Sequence, residues 1–173
     1  MNKILVIFGS LLFSACGSTG IPDNVKPVTN FELTRYLGTW YEVARLDHSF
    51  ERGLDNVTAQ YSQRADGSVR VLNMGYNKNK NAWKDAEGKA YFVSDNQTAH
   101  LKVSFFGPFY GSYVVFDLDD NYQYSLVSGP NYKYLWILSR KPELDNETMQ
   151  RLIEKARKSG FDISKLIYVD HST

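Results

Sequence analysis

The sequence predicts an all-β domain with one α-helix: an eight-stranded up-and-down antiparallel barrel with a C-terminal helix packed on its outside. Three observations predict it. Strand-like runs dominate roughly a hundred residues after position 38, and no helix-periodic stretch of useful length interrupts them. Short clusters of Gly, Pro, Asn and Asp separate the runs, so consecutive strands pair as neighbours. About eight strands joined in this way can close into a barrel and leave no exposed edge.

Composition agrees. Aromatic residues make up 14% of the 173, and the 12 tyrosines favour half-buried sheet positions. The formal net charge of +1 gives no electrostatic footprint for nucleic acid. A chain of this length suggests one domain and buries roughly 70% of its unfolded surface.

Residues 1–15 read as a signal peptide. Lys3 precedes an apolar run from Ile4 to Phe13, too short to span a bilayer as a helix of about 20 residues. Phe13-Ser14-Ala15-Cys16 resembles a bacterial lipoprotein box. The resemblance implies that Cys16 becomes the first mature residue and carries lipid, a palmitate-type acyl anchor included. Gly17 follows it rather than Asp, which implies an outer-membrane location, with the domain facing the periplasm. Cys16 is the sole cysteine, so the domain holds no internal disulfide and relies on packing. Residues 16–30 are polar, with Gly and Pro, and read as a lipid-anchored tether; the fourteen after Cys16 reach at most about 50 Å. Residues 31–173 form the domain.

Strands are expected near 39–47, 56–64, 68–76, 88–94, 98–106, 112–118, 122–128 and 133–140. Pro142 ends the sheet, Asp145 caps a helix with Met149, Leu152, Ile153 and Ala156 on one stripe, and Gly160 closes it. "KLIYV" reads as a short closing strand. Alternation places Leu101, Val103 and Phe105 on one face, Ala59 and Tyr61 with Val57, and Tyr134, Trp136 and Leu138 together. It also points Asp117 inward beside Tyr113 and Val115, where a carboxylate needs a partner. "SYVVFDLD" is apolar on both faces, so its outer face is expected under the helix.

Gly38-Thr39-Trp40 resembles the G-x-W motif of the lipocalins, and Leu138-Ser139-Arg140 resembles their closing arginine motif. In "LDDNY" the match to the middle motif rests on Tyr122. With "KVSFFGPFYG" and "YLWILSRKP", the chain from 30 to 170 is similar to the bacterial outer-membrane lipoprotein lipocalins. The resemblance implies that Arg140 packs on the Trp40 indole at a closed base, as a cation–π pair. It implies a pocket for long-chain fatty acids or lysophospholipids, lined by Ala59, Tyr61, Leu101, Val103, Phe105, Tyr113, Val115, Tyr134, Trp136 and Leu138. With Trp40 at the base, the loops around His48, Phe50, Arg52, Lys78, Lys80, Trp83, Phe109, Tyr110, Tyr132 and Lys133 ring the mouth. Family members can form a homodimer, though no residue here demands it.

Catalysis is the rival class. His48, His100 and His171 are scattered, and no Ser-His-Asp or metal-ligand spacing involves them, so neither catalytic residue, metal nor cofactor is expected. A structural envelope lipoprotein with a filled barrel is the third reading; lipid bound to the purified protein separates it from a carrier.

Overall fold

A computed structural model describes residues 19–172; the signal segment, Cys16 and Thr173 lie outside the described residues. The strands are β1 (Gly38–Leu46), β2 (Leu54–Gln63), β3 (Val69–Asn77), β4 (Ala82–Phe92), β5 (His100–Phe106), β6 (Phe109–Leu118), β7 (Tyr124–Ser128) and β8 (Leu135–Ser139). Each pairs antiparallel with the next, and β8 returns to β1, so the ladder closes. Helix α1 (Leu33–Tyr36) precedes the barrel; helix α2 (Asn146–Lys158) and strand β9 (Leu166–Tyr168) follow it.

Two strands, β4 and β6, begin well ahead of where the sequence suggests. The Asn77 side chain accepts the Lys80 amide, and Asn81 takes φ 47°, so a tight turn folds there and β4 starts at Ala82. Gly107-Pro108 suffices to turn β5 into β6, which makes Phe109 and Tyr110 the first residues of a strand.

Helix α2 starts where Asp145 accepts the Thr148 amide at 2.9 Å. Its stripe of Leu152, Ile153 and Ala156 is buried on Val114, Phe116, Leu126, Leu135 and Ile137. This accounts for the two apolar faces of β6: Val115 points into the barrel, Val114 and Phe116 under the helix. The inward placement expected of Asp117 is not what the backbone does. The register shifts between Val115 and Asp117, and one extra residue reverses the faces that follow. Asp117 therefore points outward, to Arg151 of α2 at 3.1 and 3.2 Å.

Residues 19–30 do not run free as a tether. Val25 is buried in the cluster under α2, and Val28 donates to Val115 O and accepts from the Ala99 amide. A Pro-rich polar stretch hides these two apolar contacts. After this segment, α1 crosses the end of the barrel beside Trp40, with Phe31 and Tyr36 in the same buried cluster.

The inner cluster fills the lower barrel, and the outer one lies between sheet and α2. β9 extends the sheet outside: the lower part of β1 pairs with β2 from Gly38 to Tyr41, whereas Ala44 to Leu46 pair with β9.

Candidate functional site

The base is built on β1. Gly38 has φ +96°, a conformation most side chains avoid, and a Cβ there would meet Arg140 Nη1 at 3.4 Å. The Arg140 guanidinium lies 4.0 Å from the centroid of the Trp40 ring. Its nitrogens donate to the Thr39, Arg35 and Tyr122 carbonyls, so one side chain ties α1, β1 and the β6–β7 turn together. Trp40 is fully buried and donates to Tyr36 O at 2.8 Å. Arg35 covers the Tyr122 ring at 4.2 Å.

Above this floor three tyrosines share one network. Tyr113 lies 2.8 Å from both the Tyr36 and Tyr61 hydroxyls, and Tyr36 is 3.1 Å from Ser125 Oγ. Burial pushes the Tyr36 phenol up to about 12, only partly opposed by its hydrogen bonds, and raises Tyr61 and Tyr113 as well. The three therefore stay neutral across physiological pH, as an apolar chamber requires.

The chamber wall carries Ala59 and Tyr61, Leu101, Val103 and Phe105, Tyr113 and Val115, Trp136 and Leu138, all in the inner cluster. Leu101, Val115 and Leu138 are buried, while Ala59, Val103, Phe105, Tyr113 and Trp136 are only half-buried. Inward side chains that keep partial exposure mark open space inside the wall. Gly88 helps to make it: a Cβ there would lie 2.9 Å from the Phe105 ring and 2.8 Å from Ser104 O.

One side of the chamber is charged, which sequence reasoning missed. The register of β1 shifts between Glu42 and Ala44, and Glu42 faces Leu138 while Arg45 faces Trp136. Both thus point inward, 3% and 1% exposed, and pair at 2.7 Å. Arg45 Nη2 also donates to the carbonyls of Glu51 and Leu54, at 2.9 and 3.2 Å. Glu51 receives the Trp136 indole N–H at 3.0 Å and lies 2.9 Å from His48 Nε2. Loop 47–53 is thereby latched to the inner wall. Burial, then the nearby Glu51 charge, holds the Glu42 carboxyl well above its ordinary value despite Arg45. Burial acts to raise Glu51 too, but His48 and Trp136 outweigh it and leave Glu51 lowered. The signal in the sequence was Glu42 on the Trp40 face, two residues along.

The mouth residues separate. Phe50, Phe109 and Lys133 are exposed. Tyr132, expected at the mouth, packs instead on the outside against the end of α2: its ring lies 5.2 Å from Phe161, and its hydroxyl receives the Asn24 amide at 3.4 Å. Arg52 is exposed and paired with Asp47 at 2.6 Å. Tyr134 is half-buried, stacked between Phe50 and Trp136 at 6.1 and 6.2 Å. Two further positions differ from expectation. His48 is 6% exposed, folded inward by Glu51. Tyr110 turns to the outer wall, with Lys102 5.4 Å from its ring centroid and Tyr91 beside it; on alternation it shares a face with Ser112, opposite Tyr113. His100, on the outer face, lies 3.0 Å from Ser112 Oγ and is covered by the Thr19 backbone. Among the described residues no group of three His, Cys, Asp or Glu side chains could hold a metal ion.

A closed eight-stranded barrel, sealed at one end by an arginine-capped indole and open at the other over a mainly apolar chamber, is the frame of a small-ligand-binding protein. The chain belongs to the lipocalin family: the model described as Lipocalin-like domain matches residues 31–171. It is 58% identical over 170 residues to the outer membrane lipoprotein Blc of Vibrio cholerae serotype O1, covering 98% of each chain. It is 53% identical over 160 residues to the Blc of Escherichia coli strain K12, covering 92% of this chain and 90% of that one. In solved structures the barrel resembles insecticyanin of the tobacco hornworm, with TM-score 0.70 and 22% identity over 88% of this chain and 87% of that one. These relationships make the chain a lipocalin-type binding protein of the outer membrane, not an enzyme.

Proposed function

We propose that the barrel binds long-chain fatty acids or lysophospholipids, for storage or transport in the cell envelope, while Cys16 anchors it by lipid. The observation that carries the reading is the half-buried inner wall of Ala59, Val103, Phe105, Tyr113 and Trp136. This wall stands above a floor of neutral tyrosines, and burial there holds every phenol protonated. An acyl chain meets no charge along the β5–β6 side and gains about 0.8 kcal/mol for each methylene it buries. The charged latch of Glu42, Arg45 and Glu51 is confined to the β1–β8 side.

Native mass spectrometry of the purified protein, followed by lipid extraction, tests this. Single-chain lipids retained at one per barrel are expected. A barrel that emerges folded and empty, and stays empty when offered such lipids, favours the filled-barrel structural reading.

A further inference from the structure

Four hydroxyls form one chain through the lower barrel. Ser125, Tyr36, Tyr113 and Tyr61 follow one another at 3.1, 2.8 and 2.8 Å. Each hydroxyl has one proton to donate, and the three links use three of the four protons. Whichever way each link runs, one O–H is left over. None of the four oxygens shows another acceptor among the described residues. Burial holds the three phenols protonated, so no ionised member absorbs the mismatch. The links can reverse, so the spare proton can sit on any of the four oxygens.

The hydroxyl chain meets the open chamber at Tyr113. Ser125, Tyr36 and Tyr61 are buried, whereas Tyr113 is half-buried on the inner face of β6. It is the fifth residue of that strand from the mouth end at Phe109, about 13 Å down the wall. Its neighbours there are apolar: Leu101 pairs with it on β5, and Val115 follows on the same face. Three strands away round the barrel, Asn73 shares the inner face of β3 with Val69 and Val71 and pairs with Ala59. Its side-chain oxygen is buried without a partner. Both unmatched groups call for a polar atom in the tail of a ligand rather than at its head.

We propose that the chamber selects a single-chain lipid oxygenated beyond the middle of its acyl tail, whose keto or hydroxyl oxygen accepts the spare proton of the hydroxyl chain at Tyr113. The proposal deepens the carrier reading and rests on it. In the bound state Ser125 donates to Tyr36, and Tyr36 and Tyr61 both donate to Tyr113. The Tyr113 oxygen then accepts twice and donates once, to the ligand, and each bond polarises the next. A ligand that fills the chamber excludes the solvent that otherwise serves such groups. A plain hydrocarbon tail therefore leaves the O–H unmatched, and an oxygen at the right depth removes that cost. An oxygen at the wrong depth is desolvated against Leu101, Val103 or Val115 and gains nothing. With the carboxyl at the rim, the depth of Tyr113 falls past the middle of a long chain.

The test uses the purified, lipid-stripped protein and octadecanoic acids that carry one isotope-labelled keto group, moved stepwise along the chain, with the unsubstituted acid as reference. A keto oxygen accepts and does not donate, so it reads the Tyr113 proton alone. Isothermal titration should show weakened binding at most positions and a recovery past the middle of the chain, with about tenfold between best and worst. The infrared stretch of the labelled carbonyl should fall at the recovered position, as a bond from a phenol requires. Tyr61→Phe with Tyr113→Phe should erase the recovery and the infrared shift. The same pair should bind the unsubstituted acid more tightly and the best keto acid more weakly, whereas simple damage to the barrel weakens both. The positional profile and infrared shift of the parent protein stand without the variant. A keto penalty equal at every position, or no infrared shift, overturns the proposal and leaves the carrier reading intact, because the unsubstituted acid still binds. A recovery that survives the double variant also overturns it. Failure of every acid to bind the folded protein removes the carrier reading and this proposal with it.

Discussion

Trp136 donates its indole N–H to Glu51 at 3.0 Å, joining β8 to the loop between β1 and β2 across the rim of the chamber. The same carboxylate lies 2.9 Å from His48 Nε2, and the Glu51 carbonyl receives Arg45. Loop 47–53 is thus held by buried groups that also border the proposed pocket.

Trp136→Phe should release this latch. It leaves Glu51 short of a donor in a buried site, so a loss of about 1–3 kcal/mol is expected. Chemical denaturation gives the magnitude. Hydrogen exchange should show the gain in opening confined to the loop and the start of β2.

Glu51 also sets a pH dependence. Its carboxyl is lowered below 4.5 in the folded protein, so its contribution is present above that value and is lost as pH falls through the folded pKa. Glu42 has the opposite sign: its raised pKa means stability falls as pH rises past 4.5. Glu51→Gln should therefore be less stable than the parent at neutral pH, and the gap should narrow below about 4.5. Melting temperatures of both proteins across this range check it; a constant gap contradicts the assignment.

At the base, Trp40→Ala should cost about 3–5 kcal/mol, as expected for a fully buried aromatic. Arg140→Ala should also destabilise, through three lost carbonyl contacts. The double variant should be less than additive, because guanidinium and indole share one contact. A denaturation cycle with strict additivity would argue against the pairing.

Tyr113→Phe removes a hydroxyl that serves both Tyr36 and Tyr61. Tyr36 keeps Ser125 as a partner, whereas among the described residues Tyr61 shows no second hydroxyl partner. A loss of about 1–3 kcal/mol is expected, and Tyr61→Phe on top of it should cost little more. Thermal unfolding of the three variants measures this.

The closed barrel, α2 with its Asp145 cap and the faces of β5 and β8 were legible, because alternation and turn residues act locally. What the sequence hid came from one-residue irregularities. The bulge beside Val43 brings Arg45 onto the inner face, and the one at Phe116 sends Asp117 outward. Neither changes the composition of its strand, so alternation carried across them gives the wrong face. The docked segment 19–30 was hidden for another reason: Val25 and Val28 find their partners only once β5 and β6 exist.

The most direct test is isothermal titration of a homologous fatty-acid series, with matching lysophospholipids, into lipid-stripped protein. Affinity should rise with each added methylene by about 0.8 kcal/mol until the chamber is full. Val103→Asp should flatten the series, because a carboxylate on the β5 wall must be desolvated against the tail. Affinity independent of tail length, or no binding by a folded, stripped protein, would contradict the account of the barrel as a lipid carrier.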